Sequence, residues 1–258
     1  MKRKNAAGYA PRRKAPLWYG ALLLLLFAVA AGLVWHIAVQ LGFFSLPAQS
    51  AATLAGPVLT ETPDAGQQYL AETVFVGDSN TVRLYRQQVL SQAQCMGKEG
   101  ISVDAVPSLA FVQVSGRAAL YTVPEALALV QPRWVVLTFG TNSIGNVGLE
   151  AFTAQYRAAI AAIRQAYSGC DIIVNSIPPI AQQNSYPKLS TAEIQAYNDA
   201  LLALCGQEKV YFLNSFEALA AEDGYAKQGY MLEDGIHLTQ TALQAMVGYV
   251  RTHAIPGA

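Results

Sequence analysis

"PRWVVLTFGTN", residues 132–142, enters from a proline, runs from Trp134 to Phe139 without a charge, and stops on Gly-Thr-Asn. A continuous β-branched and aromatic run between turn formers is the pattern of a strand buried on both faces. Three shorter stretches repeat it: "ETVFVGDS" at 72–79, "DIIVNSIPP" at 171–179 and "KVYFLN" at 209–214. Helical patterns lie between them. Residues 80–92 read as a helix after the first strand. Thr122 and Glu125 form a capping box ahead of a short helix that Pro132 ends. From Leu149 to Tyr167 the residues Leu149, Phe152, Tyr156, Ile160, Ile163 and Tyr167 recur at three- and four-residue steps. Ser190 and Glu193 make a second box before a helix carrying Ile194, Tyr197, Leu201 and Leu204, and Thr239 to His253 form the last helix. Uninterrupted apolar strands alternating with helices specify an α/β fold, a parallel sheet covered on both faces in a three-layer α/β/α sandwich.

The remainder of the chain surrounds that domain. Its 258 residues are 53% hydrophobic and 13% charged, too apolar for a disordered protein. Lys2, Arg3, Lys4, Arg12, Arg13 and Lys14 put six positive charges before residue 15, which leaves 11 basic and 17 acidic groups beyond it. An acidic domain excludes nucleic acid as a natural partner. Residues 1–16 therefore read as a basic cytoplasmic tail and 17–44 as a transmembrane signal anchor. The 19 uncharged residues from Leu17 to Trp35 nearly span a ~30 Å hydrocarbon core at ~1.5 Å per residue. Trp18, Tyr19 and Trp35 sit near its ends, where amphipathic rings favour the interface. The positive-inside rule then puts the C-terminal domain outside the cytoplasm. A cleaved signal peptide is the alternative, with small residues around Ala48 as its processing site. Residues 45–68, rich in Pro, Ala, Thr and Gly, read as a linker, and 69–258 as the folded domain.

Ser79 stands where the first strand gives way to a helix. It is either the cap of that helix or a nucleophile next to unpaired helix N–H groups that stabilise an oxyanion. A nucleophilic serine needs a base, and the chain has three histidines. His36 lies in the apolar segment and His253 in the last turn of the final helix, which leaves His237 in "LEDGIHLT". Asp234, three residues earlier, can accept the Nδ1–H of that imidazole and leave Nε2 to take the serine proton. The domain lacks the clustered His or Cys of a metal site.

Taken in order, "VFVGDSN" at 74–80, "VVLTFGTN" at 135–142 and "DGIH" at 234–237 resemble the SGNH, or GDSL-type, hydrolase family. The resemblance covers the chain from about Thr73 to its end. It implies a flavodoxin-like sheet, Ser79 as nucleophile, His237 as base and Asp234 as its orienter. It implies three oxyanion donors: the Ser79 N–H, a glycine N–H and the Asn142 side chain. For the glycine, "GKEGISVDAV" offers Gly100, preferred, or Gly97. Asn80 replaces the leucine of the name-giving motif, and Ser143 stands where many members have aspartate. Asn198, in "AYND", is similar to a family position, or is a polar residue on a helix face. No cofactor and no metal are implied, and the substrate is an acylated glycan or lipid ester. Flavodoxin-like order also makes the strands after Cys170 and Cys205 neighbours. It thus implies a Cys170–Cys205 disulfide with Cys95 reduced, three buried thiols being the alternative.

Overall fold

The computed structural model describes residues 56–257. The tail, the anchor and residues 45–55 of the expected linker lie outside the described residues. Among the described residues no helix is long and apolar enough to cross a membrane.

Five strands form one parallel sheet: β1 (Thr73–Gly77), β2 (Cys95–Gly97), β5 (Trp134–Thr138), β6 (Asp171–Asn175) and β7 (Tyr211–Leu213), in the spatial order β2-β1-β5-β6-β7. Read along the chain this is the doubly wound 2-1-3-4-5 order. The apolar runs are continuous because alternate side chains enter opposite layers. Val74, Val76, Val135 and Leu137 meet one helix layer, made of α3 (Val123–Val130), α4 (Leu149–Ala166) and α5 (Thr191–Glu208). Phe75, Trp134, Val136 and Ile173 meet the other, made of α1 (Gly66–Ala71), α2 (Ser79–Arg86), α6 (Phe216–Leu219) and α7 (Gln240–Thr252). That is the expected three-layer α/β/α sandwich. The Thr122–Glu125 capping box forms, the Glu125 carboxylate accepting the Thr122 N–H at 2.9 Å. Ser190 caps its helix through the side chain alone, accepting the Glu193 N–H at 3.2 Å and donating to the Glu193 carboxylate at 3.0 Å.

Four local features depart from these expectations or add to them. The first is the helix at 80–92, which stops at Arg86. Gln88 takes a left-handed φ of 56°, and the N–H groups of Val89 and Leu90 both return to the Leu84 carbonyl. Val89 and Leu90 then pack on the α7 side of the sheet, so the apolar pattern continues although the helix does not. Second, a two-residue hairpin, β3 (Val112–Gln113) and β4 (Leu120–Tyr121), fills a stretch without a strand pattern.

Third, the stretch 57–68 is folded structure instead of linker. Phe212 N–H donates to the Pro57 carbonyl at 2.6 Å and Leu59 N–H to the Phe212 carbonyl at 2.9 Å, so this segment bridges the free edge of β7. Thr62 N–H and Ala65 N–H bond Thr252 and Arg251 carbonyls at the end of α7, and Asp64 pairs with Arg251. Leu59 is buried.

Fourth, Cys95, Cys170 and Cys205 are all free. β6 and β7 are indeed parallel neighbours. Cys205 is nevertheless packed inside the α3–α5 core, while Cys170 directs its thiol to the Tyr167 carbonyl. Burial pushes the Cys205 and Cys95 thiols up to about 12 and Cys170 up to about 11, which keeps all three protonated and unreactive.

Candidate active site

The carboxyl ends of parallel strands are where loops from several elements converge. Here β1 delivers Gly77, Asp78 and Ser79. Gly77 is fixed by its neighbours: a Cβ there would lie 2.0 Å from Thr138 Oγ1 and 2.2 Å from Thr81 Oγ1. Those two hydroxyls are 2.5 Å apart, and Thr138 donates to the Val76 carbonyl at 3.1 Å, so Thr81 is the donor between them. This lock pins the turn from β1 into α2.

The cap of α2 is Asp78, whose Oδ1 accepts the Asn80 N–H at 3.1 Å. Ser79 is the first helical residue, and its hydroxyl is therefore not occupied in capping. It lies 2.9 Å from His237 Nε2. The other imidazole nitrogen, Nδ1, is 2.6 Å from Asp234 Oδ2. Asp234 Oδ1 accepts the N–H groups of Ile236 and His237, each at 2.9 Å. This turn needs Gly235, which has φ +74° and sits so close to the Gln183 carbonyl that a Cβ would come within 2.4 Å. Burial alone would raise the Asp234 carboxyl, but the His237 and Ile236 N–H groups and the imidazole hold it below its ordinary value. An ionised Asp234 only accepts, so Nδ1 carries the proton and the neutral ring presents the Nε2 lone pair to Ser79. Ser79, His237 and Asp234, 158 residues apart at the extremes of the serine–histidine pair, are thus brought into one hydrogen-bonded line.

Asn142 follows β5 and donates through Nδ2 to the Ile101 carbonyl at 2.9 Å, which leaves its second amide hydrogen for another acceptor. Gly100 lies beside Ile101 on an exposed turn after β2 with φ +75° and open space around it. Gly97 instead ends β2, where a Cβ would lie 2.9 Å from the Val82 amide nitrogen. Ser143 is fully buried. Asn198 is buried too, and clamps Ile177, two residues beyond β6: its Oδ1 accepts the Ile177 N–H at 2.7 Å and its Nδ2 donates to the Ile177 carbonyl at 3.1 Å. Ile177 in turn fills the space a side chain at Gly140 would need. His253 is apart from the site, stacked on Tyr249 at 3.6 Å between ring centroids. Among the described residues no group of three His, Cys, Asp or Glu gathers to hold a metal.

Asp78 is a feature the residue pattern did not single out. It is buried beneath Ser79, beside a chamber of about 20 Å³ bordered also by Thr81, Thr138, Asn175 and Ser176. Burial pushes its carboxyl up to about 6, against the lowering effects of the Asn80 N–H and of His237. A folded-state value above the unfolded 3.8 means the fold retains the proton more tightly, so stability falls as pH rises from about 4 to about 6 and stays reduced above that. Asp78→Asn keeps a good cap. It is expected to stabilise the domain by about 2–3 kcal/mol at neutral pH, with the gain vanishing below about pH 4. Urea unfolding at the two pH values measures this, and a gain that is equal at both would count against a buried ionisable Asp78.

The sequence matches the GDSL-like Lipase/Acylhydrolase family over residues 75–245, about two thirds of the chain. The chain belongs to this family. It is accordingly an ester-hydrolysing enzyme. None of the curated proteins matches it. Solved structures share its fold. One from Streptococcus pneumonia, described as a platelet activating factor, aligns at TM-score 0.53 and 21% identity, over 71% of this chain and 88% of its own. One from Bacteroides fragilis, described as an acylhydrolase, aligns at 0.53 and 16%, over 74% and 96%. A third from Desulfitobacterium hafniense, described as a lipolytic protein of the G-D-S-L family, aligns at 0.53 and 13%, over 70% and 98%.

Proposed function

We propose that this enzyme is a serine esterase that removes O-acetyl or other short acyl groups from cell-envelope glycans, anchored by residues 17–44 with its folded domain outside the cytoplasm. The observation that carries the chemistry is the line Asp234–His237–Ser79, with contacts of 2.6 and 2.9 Å. His237 Nε2 takes the Ser79 proton as Oγ attacks the ester carbonyl. Negative charge then develops on the carbonyl oxygen. The Ser79 N–H, at the positive end of α2, and the free amide hydrogen of Asn142 stabilise it. Protonated His237, held by Asp234, gives its proton to the departing alcohol, leaving an acyl-enzyme. Water enters through the same base and releases the acid and Ser79. The third donor is a backbone N–H of the segment after β2, next to the Ile101 carbonyl that holds Asn142.

The glycan and the location rest on the sequence: an apolar span behind six basic residues, joined to an acidic domain. The test is a panel offered to the full-length chain in detergent: aryl esters of increasing chain length beside acetylated polysaccharides. Fastest turnover of acetyl esters and acetate release from the polysaccharides are expected. Preference for long chains would move the reading to a lipase or thioesterase. Transfer to an added sugar exceeding hydrolysis would make it an acyltransferase, and no turnover at all would leave a binding module on this fold.

A further inference from the structure

Asn80 is the residue that departs from the name-giving motif, and it is not idle. Its side chain is buried, and its Oδ1 accepts the N–H of Leu238 at 3.0 Å. One helical turn on, Arg83 Nε donates to the carbonyl of the same Leu238 at 2.9 Å. Residues three apart on a helix share a face, so α2 grips both backbone polar groups of one residue. That residue directly follows His237, just as Asn80 directly follows Ser79. The Asn80–Leu238 bond is therefore a second rung beside the Ser79–His237 bond. The two rungs differ in exposure: the His237 side chain is 30% exposed, while Leu238 is completely buried. Water competes for the outer rung and not for the inner one. A third tie, from Gln240 Nε2 to the Gln87 carbonyl at 2.8 Å, closes the far end.

We propose that Asn80 and Arg83 are positioning residues that fix the separation of Ser79 and His237 by clamping Leu238 to the nucleophile's helix. Leucine at position 80 could fill the same volume but could not accept the Leu238 N–H. In this chain the amide replaces packing with a directional bond whose register is passed one residue along to the imidazole. The inference rests on the esterase reading for its effect on rate, but the clamp itself is a matter of geometry.

The experiment compares Asn80→Leu, Asn80→Asp and Arg83→Met with the wild type, each as the full-length chain in detergent. An ångström of misplacement costs about 10²-fold, so Asn80→Leu is expected to lower kcat for an aryl acetate by about that factor with KM little changed. Asn80→Asp keeps an oxygen acceptor and should recover most of the rate that Asn80→Leu loses, a difference between two volume-filling side chains that packing alone would not produce. The second readout is the hydrogen-bonded Nδ1–H proton of His237 in the NMR spectrum, assigned by its loss in His237→Gln. It should broaden or vanish in Asn80→Leu and Arg83→Met and persist in Asn80→Asp. Should Asn80→Leu fail to fold, Arg83→Met reads the other arm. A folded Asn80→Leu protein with wild-type kcat, or an unchanged His237 resonance in both clamp variants, overturns the proposal. An inactive wild type would instead overturn the esterase reading, while the resonance still reports on the clamp.

Discussion

Ser79→Ala is expected to abolish ester hydrolysis while the domain stays folded. Loss of a serine nucleophile costs up to about 10⁶ in kcat, because the base and orienter have nothing left to activate. The structure gives a reason for the fold to survive. Asp78, not Ser79, caps α2, so no helix-capping bond is lost. The Thr81–Thr138 lock and the Asn80–Leu238 bond stay in place on either side of the missing hydroxyl. His237 Nε2 loses its partner, but the ring is partly open to water, which replaces it. The stability change should therefore fall within about 0.5 kcal/mol, as for other substitutions outside a core. Aryl-acetate turnover and thermal unfolding of the same preparation measure both halves. Undiminished turnover by a folded Ser79→Ala protein would remove the serine mechanism.

Strands β1, β5, β6 and β7 were legible because burial selects the β-branched and aromatic residues that mark them in the sequence; β2 and the β3–β4 hairpin are two or three residues long and carry no such run. The helices of the α3–α5 layer were legible for a related reason: a capping box or a repeated apolar face identifies each one. What escaped is what backbone hydrogen bonds hold. Residues 57–65 carry no periodic apolar face, since Pro57 and Leu59 are fixed through their main chain to Phe212 and Thr62 through its own to Thr252. The end of α2 escaped because Val89 and Leu90 reach the core through a left-handed turn at Gln88. In the site, Ser79, His237 and Asp234 were readable because few other residues could do that chemistry. Asp78, Asn80 and Arg83 were not, because their work is to hold neighbouring backbone and turn, which many residue types do in many places. The cysteine pairing did not form although β6 and β7 are neighbours: Cys205 is buried in the core, and the Cys170 thiol donates to the Tyr167 carbonyl.

Asp234→Asn is expected to cut kcat about 10⁴-fold with little loss of stability, the size of effect this change has in a well-characterised serine triad. The local geometry says why. Asp234 Oδ1 accepts two backbone N–H groups, from Ile236 and His237. An asparagine must place its one oxygen there, or leave two donors facing an NH₂ group. The amide nitrogen then falls where Oδ2 stood, facing His237 Nδ1 across 2.6 Å in the native protein. A donor now meets that nitrogen, so the neutral ring must present a lone pair at Nδ1 and carry its proton on Nε2. That tautomer donates to Ser79 and cannot accept from it. The backbone bonds of the turn survive, and with them the position of Leu238 and the fold. Asp234→Ala, by contrast, should lose both the orientation and the turn. The measurement is kcat for an aryl acetate beside the ¹⁵N shifts of His237, which should report protonation moving from Nδ1 to Nε2. A folded Asp234→Asn protein that keeps more than about a tenth of the rate would mean that Asp234 only supports the loop, and that the proton on His237 is placed by something else.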